Sequence, residues 1–152
     1  MSGMSPGREA TSSTDCALLA AGYAALATLI PVAAHQLGVL DHLPDPPLSI
    51  FASDQITQSK TAHPLGIPDS LVGLGSYAAT LGLVGLARTQ PMARKLLALK
   101  LLGDGSIAGF NVVRQVVSFR KLCSWCTATA LCTAVMLIAG RRLIAEELGH
   151  AN

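Results

Sequence analysis

Cys123-Ser124-Trp125-Cys126 is the part of this chain whose residue types and spacing could do chemistry. Two thiols three positions apart on a helix lie about 60° apart around its axis and ~4.5 Å apart along it, close enough for a disulfide. The unsatisfied N–H groups at a helix start favour a thiolate, and Arg120 and Lys121 add positive charge beside them. Redox exchange is therefore the chemistry the pair predicts. Soft-metal binding is the competing use of such a pair, and two inert packing cysteines are the third reading. No second cysteine pair exists to complete a four-thiolate metal site, and His35, His42, His63 and His150 lack ligand spacing. Cys132, deeper and on another face, and Cys16, far away in the chain, are expected to be structural.

The surroundings of the pair set its partner. Residues 122–140 carry no charge and are flanked by Arg120, Lys121, Arg141 and Arg142. Nineteen such residues span ~28 Å as a helix, close to the ~30 Å hydrocarbon core of a bilayer. A dithiol at the start of a membrane helix points to a lipid-soluble electron partner.

The composition agrees with a membrane setting. Of the 152 residues, 51% are hydrophobic and 13% charged, about half the usual ~25%; the mean hydropathy is +0.48. Net charge is +2, with no basic stripe, which argues against nucleic acid. One integral membrane domain is expected at residues 16–144, between a disordered tail at 1–15 and a polar tail at 145–152. Its helices are predicted at about 16–40, 69–87, 96–119 and 122–144. Val32-Ala33-Ala34 ends in small residues, but the first apolar run exceeds a signal h-region, so a spanning helix is favoured over a cleaved leader. Gly73, Gly75, Gly82 and Gly85 offer close-packing surfaces on the second helix. Lys100 and Asp104 are one turn apart and can pair, while Arg114 can snorkel to the nearer membrane surface. Residues 41–68 form a long proline-rich connection, a length that usually marks function. His35 and His42 are expected to make interfacial hydrogen bonds, and Asp69, after Pro68, to cap the second helix.

With both termini cytoplasmic, one side holds seven basic residues (Arg8, Arg88, Arg94, Lys95, Lys100, Arg141, Arg142). The other holds four (Lys60, Arg114, Arg120, Lys121). The long loop and the dithiol then share the extracytoplasmic face of a plasma membrane, where disulfides persist.

Three stretches make the chain resemble the vitamin K epoxide reductase family of four-helix membrane oxidoreductases. They are Leu65-Gly66-Ile67-Pro68-Asp69-Ser70 running into Tyr77, Leu122-Cys123-Ser124-Trp125-Cys126-Thr127, and a spacing between them that holds one short connection and one helix. The resemblance covers roughly residues 16–142. It implies an all-α, integral membrane four-helix bundle with a quinone pocket near the outer surface. It also implies that Cys126 reacts with a quinone of ubiquinone or menaquinone type, and that Cys123 exchanges with an incoming thiol. Asp69 takes the position of a polar group that helps hold a quinone carbonyl. Tyr77 is a further pocket member, and Ala130 stands where some relatives have a tyrosine. His63, before Pro64, is expected near the pocket mouth. The departure is in the loop: Ser53 stands where relatives carry the later of two shuttle cysteines, and residues 41–68 contain none. Partners implied are membrane lipid, quinone, and a separate thioredoxin-like or other extracytoplasmic thiol protein. A non-catalytic role assisting a membrane complex, or soft-metal handling, is the alternative.

Overall fold

The computed structural model describes residues 6–149. Four long helices dominate: α1 (Pro6–Gln36), α3 (Asp69–Leu86), α4 (Pro91–Phe119) and α5 (Ser124–Gly149), with a short α2 (Ser53–Thr57) inside the long loop. Each long helix packs on its neighbour in the chain, and α5 closes the ring against α1. The result is an all-α, up-and-down bundle in which one long loop and two short connections join antiparallel neighbours. We call the end holding residues 37–68 and 120–123 the loop end.

All four long helices contain stretches long and apolar enough to cross a membrane, with mean hydropathies of 1.9, 1.2, 1.4 and 1.5. Their outward faces carry exposed Ile30, Ile107, Phe110, Val117, Leu131 and Ile138, the surface that lipid rather than water would solvate. Leu18, Ala25, Leu29, Tyr77, Leu97, Leu101 and Met136 fill the centre.

Local signals explain where the helices differ from the apolar runs. The first helix begins at Pro6, ten residues before the apolar stretch, so residues 6–15, predicted as tail, are helical, and residues 1–5 lie outside the described part. It ends at Gln36 rather than 40, because Gly38 takes a left-handed φ of 75° that breaks the helical path. Pro91 starts α4, not residue 96: its fixed φ and missing N–H suit a first helical position. Arg120, left-handed at φ 50°, ends that helix with its N–H on the Val116 carbonyl. At the other end α5 runs past 144 to Gly149, where Glu146 and Glu147 pair with Arg94 of α4 at 3.1 and 2.9 Å.

Of the four glycines predicted to pack closely on α3, only Gly73 faces a neighbour: a Cβ there would lie 2.9 Å from Leu29. Gly75, Gly82 and Gly85 have nothing within 4 Å. The tightest approaches lie on other helices, as at Gly140, where a Cβ would come 2.5 Å from the Leu101 side chain. Lys100 and Asp104 do pair, and Ser76 and Thr80 of α3 donate to the same carboxylate at 2.9 and 2.8 Å. A buried acid is thereby satisfied between two helices.

Candidate active site at the loop end

The dithiol sits at the junction of the loop and α5. Cys123 is not in the helix, as its spacing suggested; it precedes it, and its Sγ accepts the Cys126 N–H at 3.2 Å. That is the geometry of a cap, with sulfur in place of the usual oxygen. Cys123 is fully buried. Its thiol is held below the ordinary cysteine range by a hydrogen bond with the Cys126 side chain, then against the opposing effect of burial by the Ser53 hydroxyl and the Cys126 and Trp125 N–H groups. The Cys123 N–H is taken by Gln115 Oε1 at 2.8 Å. Gln115 also hydrogen-bonds the Cys126 side chain, so one α4 amide touches both halves of the pair.

The loop is bound to this junction. Leu122 N–H donates to the Ile50 carbonyl at 2.8 Å, and Ala52 N–H donates back to the Leu122 carbonyl at 2.9 Å, a short parallel bridge. Asp45 then gathers three donors: Ser53 N–H at 2.8 Å, Ser53 Oγ at 2.5 Å and Ser124 Oγ at 2.5 Å. Burial raises the Asp45 pKa, but the hydroxyls of Ser124 and Ser53 and the Ser53 amide outweigh it and bring it below the usual value. Trp125 Nε1 donates to the Pro44 carbonyl at 3.0 Å. Ser53 therefore lies against Cys123 with no exposed surface.

On the other side of the pair lies a cavity of about 350 Å³, between the long helices and the loop. Cys126 lines it, with apolar walls from Leu29, Val32, Ile107 and Phe110, and polar groups from Asp69, Thr129, Gln115 and Arg114. A mainly apolar cavity of this size with a few converging polar groups fits a small hydrophobic ring.

The residues singled out from sequence distribute as follows. Cys126, Asp69, Tyr77 and Ala130 line the cavity. Cys123 adjoins it through Cys126. His63 is not among the described lining residues, although Ala62 and Pro64 are; its Nδ1 donates to the Ser59 carbonyl at 3.1 Å. Asp69 is the first helical residue and not the cap of α3, a position held by Pro68; its carboxylate accepts Gln36 Nε2 at 2.9 Å. The Tyr77 hydroxyl is tied to Thr133 Oγ1 at 2.5 Å. Arg114 does not snorkel outward. Its Nη1 donates to the Thr61 carbonyl at 2.8 Å and its Nη2 lies 3.8 Å from Asp69 Oδ2. His35 and His42 do make polar contacts at the loop end, both to Asp54, at 3.1 and 3.0 Å.

Sequence reasoning missed Gln36, Asp45 and Gln115. Gln115, an isolated amide in an apolar run, carried a usable signal. Asp45 carried none, because an acid among prolines looks like any solvated loop residue.

These features define a multi-pass α-helical membrane protein with a dithiol set between a folded loop and a cavity among the helices. The family model for the vitamin K epoxide reductase family matches residues 16–140, and the chain belongs to that family, a group of membrane oxidoreductases. Comparison with curated proteins and with solved structures gave no match.

Proposed function

We propose that this protein is a thiol:quinone oxidoreductase, with Cys123 and Cys126 as its reacting pair, and that it supports disulfide formation in extracytoplasmic proteins. One observation carries the reading: the two thiols face different surroundings, Cys126 the apolar cavity and Cys123 the loop. A pair divided in this way can take electrons from one side and deliver them to the other.

The cavity suits a quinone of ubiquinone or menaquinone type, as membrane family and apolar lining together suggest. When bound, such a ring accepts two electrons and two protons. The chain's own part is to supply them: two thiols lose two protons and two electrons and become one disulfide. The disulfide is returned to the dithiol when an outside pair of protein thiols is oxidised by exchange. Gln115 fixes the Cys123 backbone beside the cavity wall, and the Cys126 N–H supports charge on Cys123. Asp69 and Tyr77 belong to the cavity wall. The position of His63 lends no support to a role in contact with the ring.

The basic-residue asymmetry favours cytoplasmic termini and a loop end on the extracytoplasmic side of the plasma membrane. The thiol partner is then a separate extracytoplasmic protein, thioredoxin-like or otherwise. A non-catalytic role in assisting a membrane complex draws on one observation: Cys123 is fully covered by a loop that has no cysteine of its own.

The test is quinone-dependent oxidation of a reduced protein thiol by the purified protein. We expect Cys126→Ala and Cys123→Ala to lower the rate by at least a hundredfold. Retained activity in Cys126→Ala, or a pair that stays reduced in respiring cells when thiols are trapped with a mass tag, would defeat the proposal.

A further inference from the structure

The cavity's polar groups differ in what they can still offer. Asp69, first in α3, is an acceptor and already receives Gln36 Nε2 at 2.9 Å. Ser76 donates to Asp104, Thr129 donates to the Trp125 carbonyl, and the Tyr77 hydroxyl is engaged with Thr133 outside the cavity lining. Arg114 is different. It is the single basic residue among the described residues lining the cavity. One of its donors, Nη1, is fixed on the Thr61 carbonyl at 2.8 Å. Its Nε is buried and has no hydrogen-bond partner among the described residues. Its Nη2 stands 3.8 Å from Asp69 Oδ2, too far for a hydrogen bond yet close enough for the charges to orient the group.

Nε and Nη2 form one edge of the planar guanidinium, the edge that grips two acceptor lone pairs at once. Here the Nε is desolvated and unfilled, Nη2 makes no hydrogen bond, and the opposite corner is anchored. A buried donor without an acceptor is costly, and such groups in a folded protein call for an explanation. Three residues earlier, Asn111 lines the same cavity from the same face of α4, and among the described residues nothing hydrogen-bonds its side chain. The available donors thus lie on α4, whereas the first turn of α3 is already committed.

We propose that the Nε/Nη2 edge of Arg114, assisted by Asn111, is the site that binds a ring oxygen of the quinone headgroup, with Asp69 as the residue that positions the guanidinium. This rests on the quinone reading of the cavity. It assigns ligand binding to a residue whose expected role was to reach the membrane surface. A carbonyl oxygen suits it because it accepts two hydrogen bonds and gains negative character as electrons arrive.

The test needs no turnover. Trp125 is the only tryptophan and lies beside Cys126, so quenching of its fluorescence by a short-chain benzoquinone reports binding. In purified full-length protein carrying Cys126→Ser, Arg114→Gln is expected to weaken the quinone Kd tenfold or more. Arg114→Lys, which keeps the charge but not the fork, is expected to weaken it at least threefold; helicity and Tm are followed alongside. Kd values within twofold of the parent in both variants would overturn the assignment of Arg114 and leave the quinone reading standing. Failure of the parent to show saturable quenching would overturn both. If Arg114→Gln does not fold, Arg114→Lys decides by the same limits.

Discussion

At the scale of single residues, the two cysteines are chemically unequal because only one of them is a cap. The Cys126 side chain lowers the Cys123 pKa most, and against burial the Ser53 hydroxyl and the Cys126 N–H, 3.2 Å from Sγ, lower it further. Its thiolate therefore forms at a lower pH than that of an ordinary cysteine, whose pKa is ~8.5. In protein carrying Cys16→Ser and Cys132→Ser, the alkylation rate of Cys123, followed peptide by peptide by mass spectrometry, should rise with pH through a midpoint below that value and fall away at lower pH. Removing the hydroxyl with Ser53→Ala should move the midpoint upward. An unmoved midpoint would show that the Ser53 contact has no electrostatic weight.

At the scale of elements, the loop and α5 act as one piece. The bridge between Ile50, Ala52 and Leu122 and the Asp45 cluster hold the loop across Cys123, so a protein thiol reaches that sulfur only when the loop lifts. Asp45→Asn removes the charge from three hydrogen bonds, each worth ~1.5–3 kcal/mol while charge-assisted. At pH 7 it should raise the labelling rate of Cys123 by about tenfold or more. The sign of the pH effect on the parent follows from the depressed Asp45 pKa. The stabilisation is present above the usual carboxylate range and is lost as pH falls through the lowered value. Labelling that is no faster in Asp45→Asn would mean that the backbone bridge alone keeps the loop down.

At the scale of the whole molecule, stability comes from helix faces that meet only in the assembled ring. Asp104 is buried and joins α4 to α3 through Ser76 and Thr80 while pairing with Lys100. Asp104→Ala leaves the lysine without its partner, at a cost of about 3 kcal/mol. It should lower the Tm in detergent by several degrees, and Lys100→Met in the same chain should restore part of the loss. No recovery in the double variant would mean that the α3 hydroxyls, and not the charge pair, carry the effect.

How much of this was legible in the sequence depended on whether the signal was local. Apolar runs bounded by charge gave four spanning helices, because a bilayer of fixed thickness forces every span to satisfy its backbone within itself. The cysteine spacing and the Gly-Ile-Pro segment gave the family and the pair proposed to react. The extra helical turns of α4 and α5 were not read from hydropathy, since they lie beyond the apolar windows and rest on Pro91 and the Arg94 ion pairs, and neither was the early stop of α1 before Gly38. Which side chains turn toward the cavity was decided only by packing. Arg114 turns inward because Thr61 and Asp69 come from a loop and a helix far away in the chain, His63 turns to Ser59, and Ser53 reaches Cys123 across 70 residues. Periodicity along one helix is a property of neighbouring residues. The partner of a donor at a loop-helix junction is a property of the closed bundle, and no local pattern encodes it.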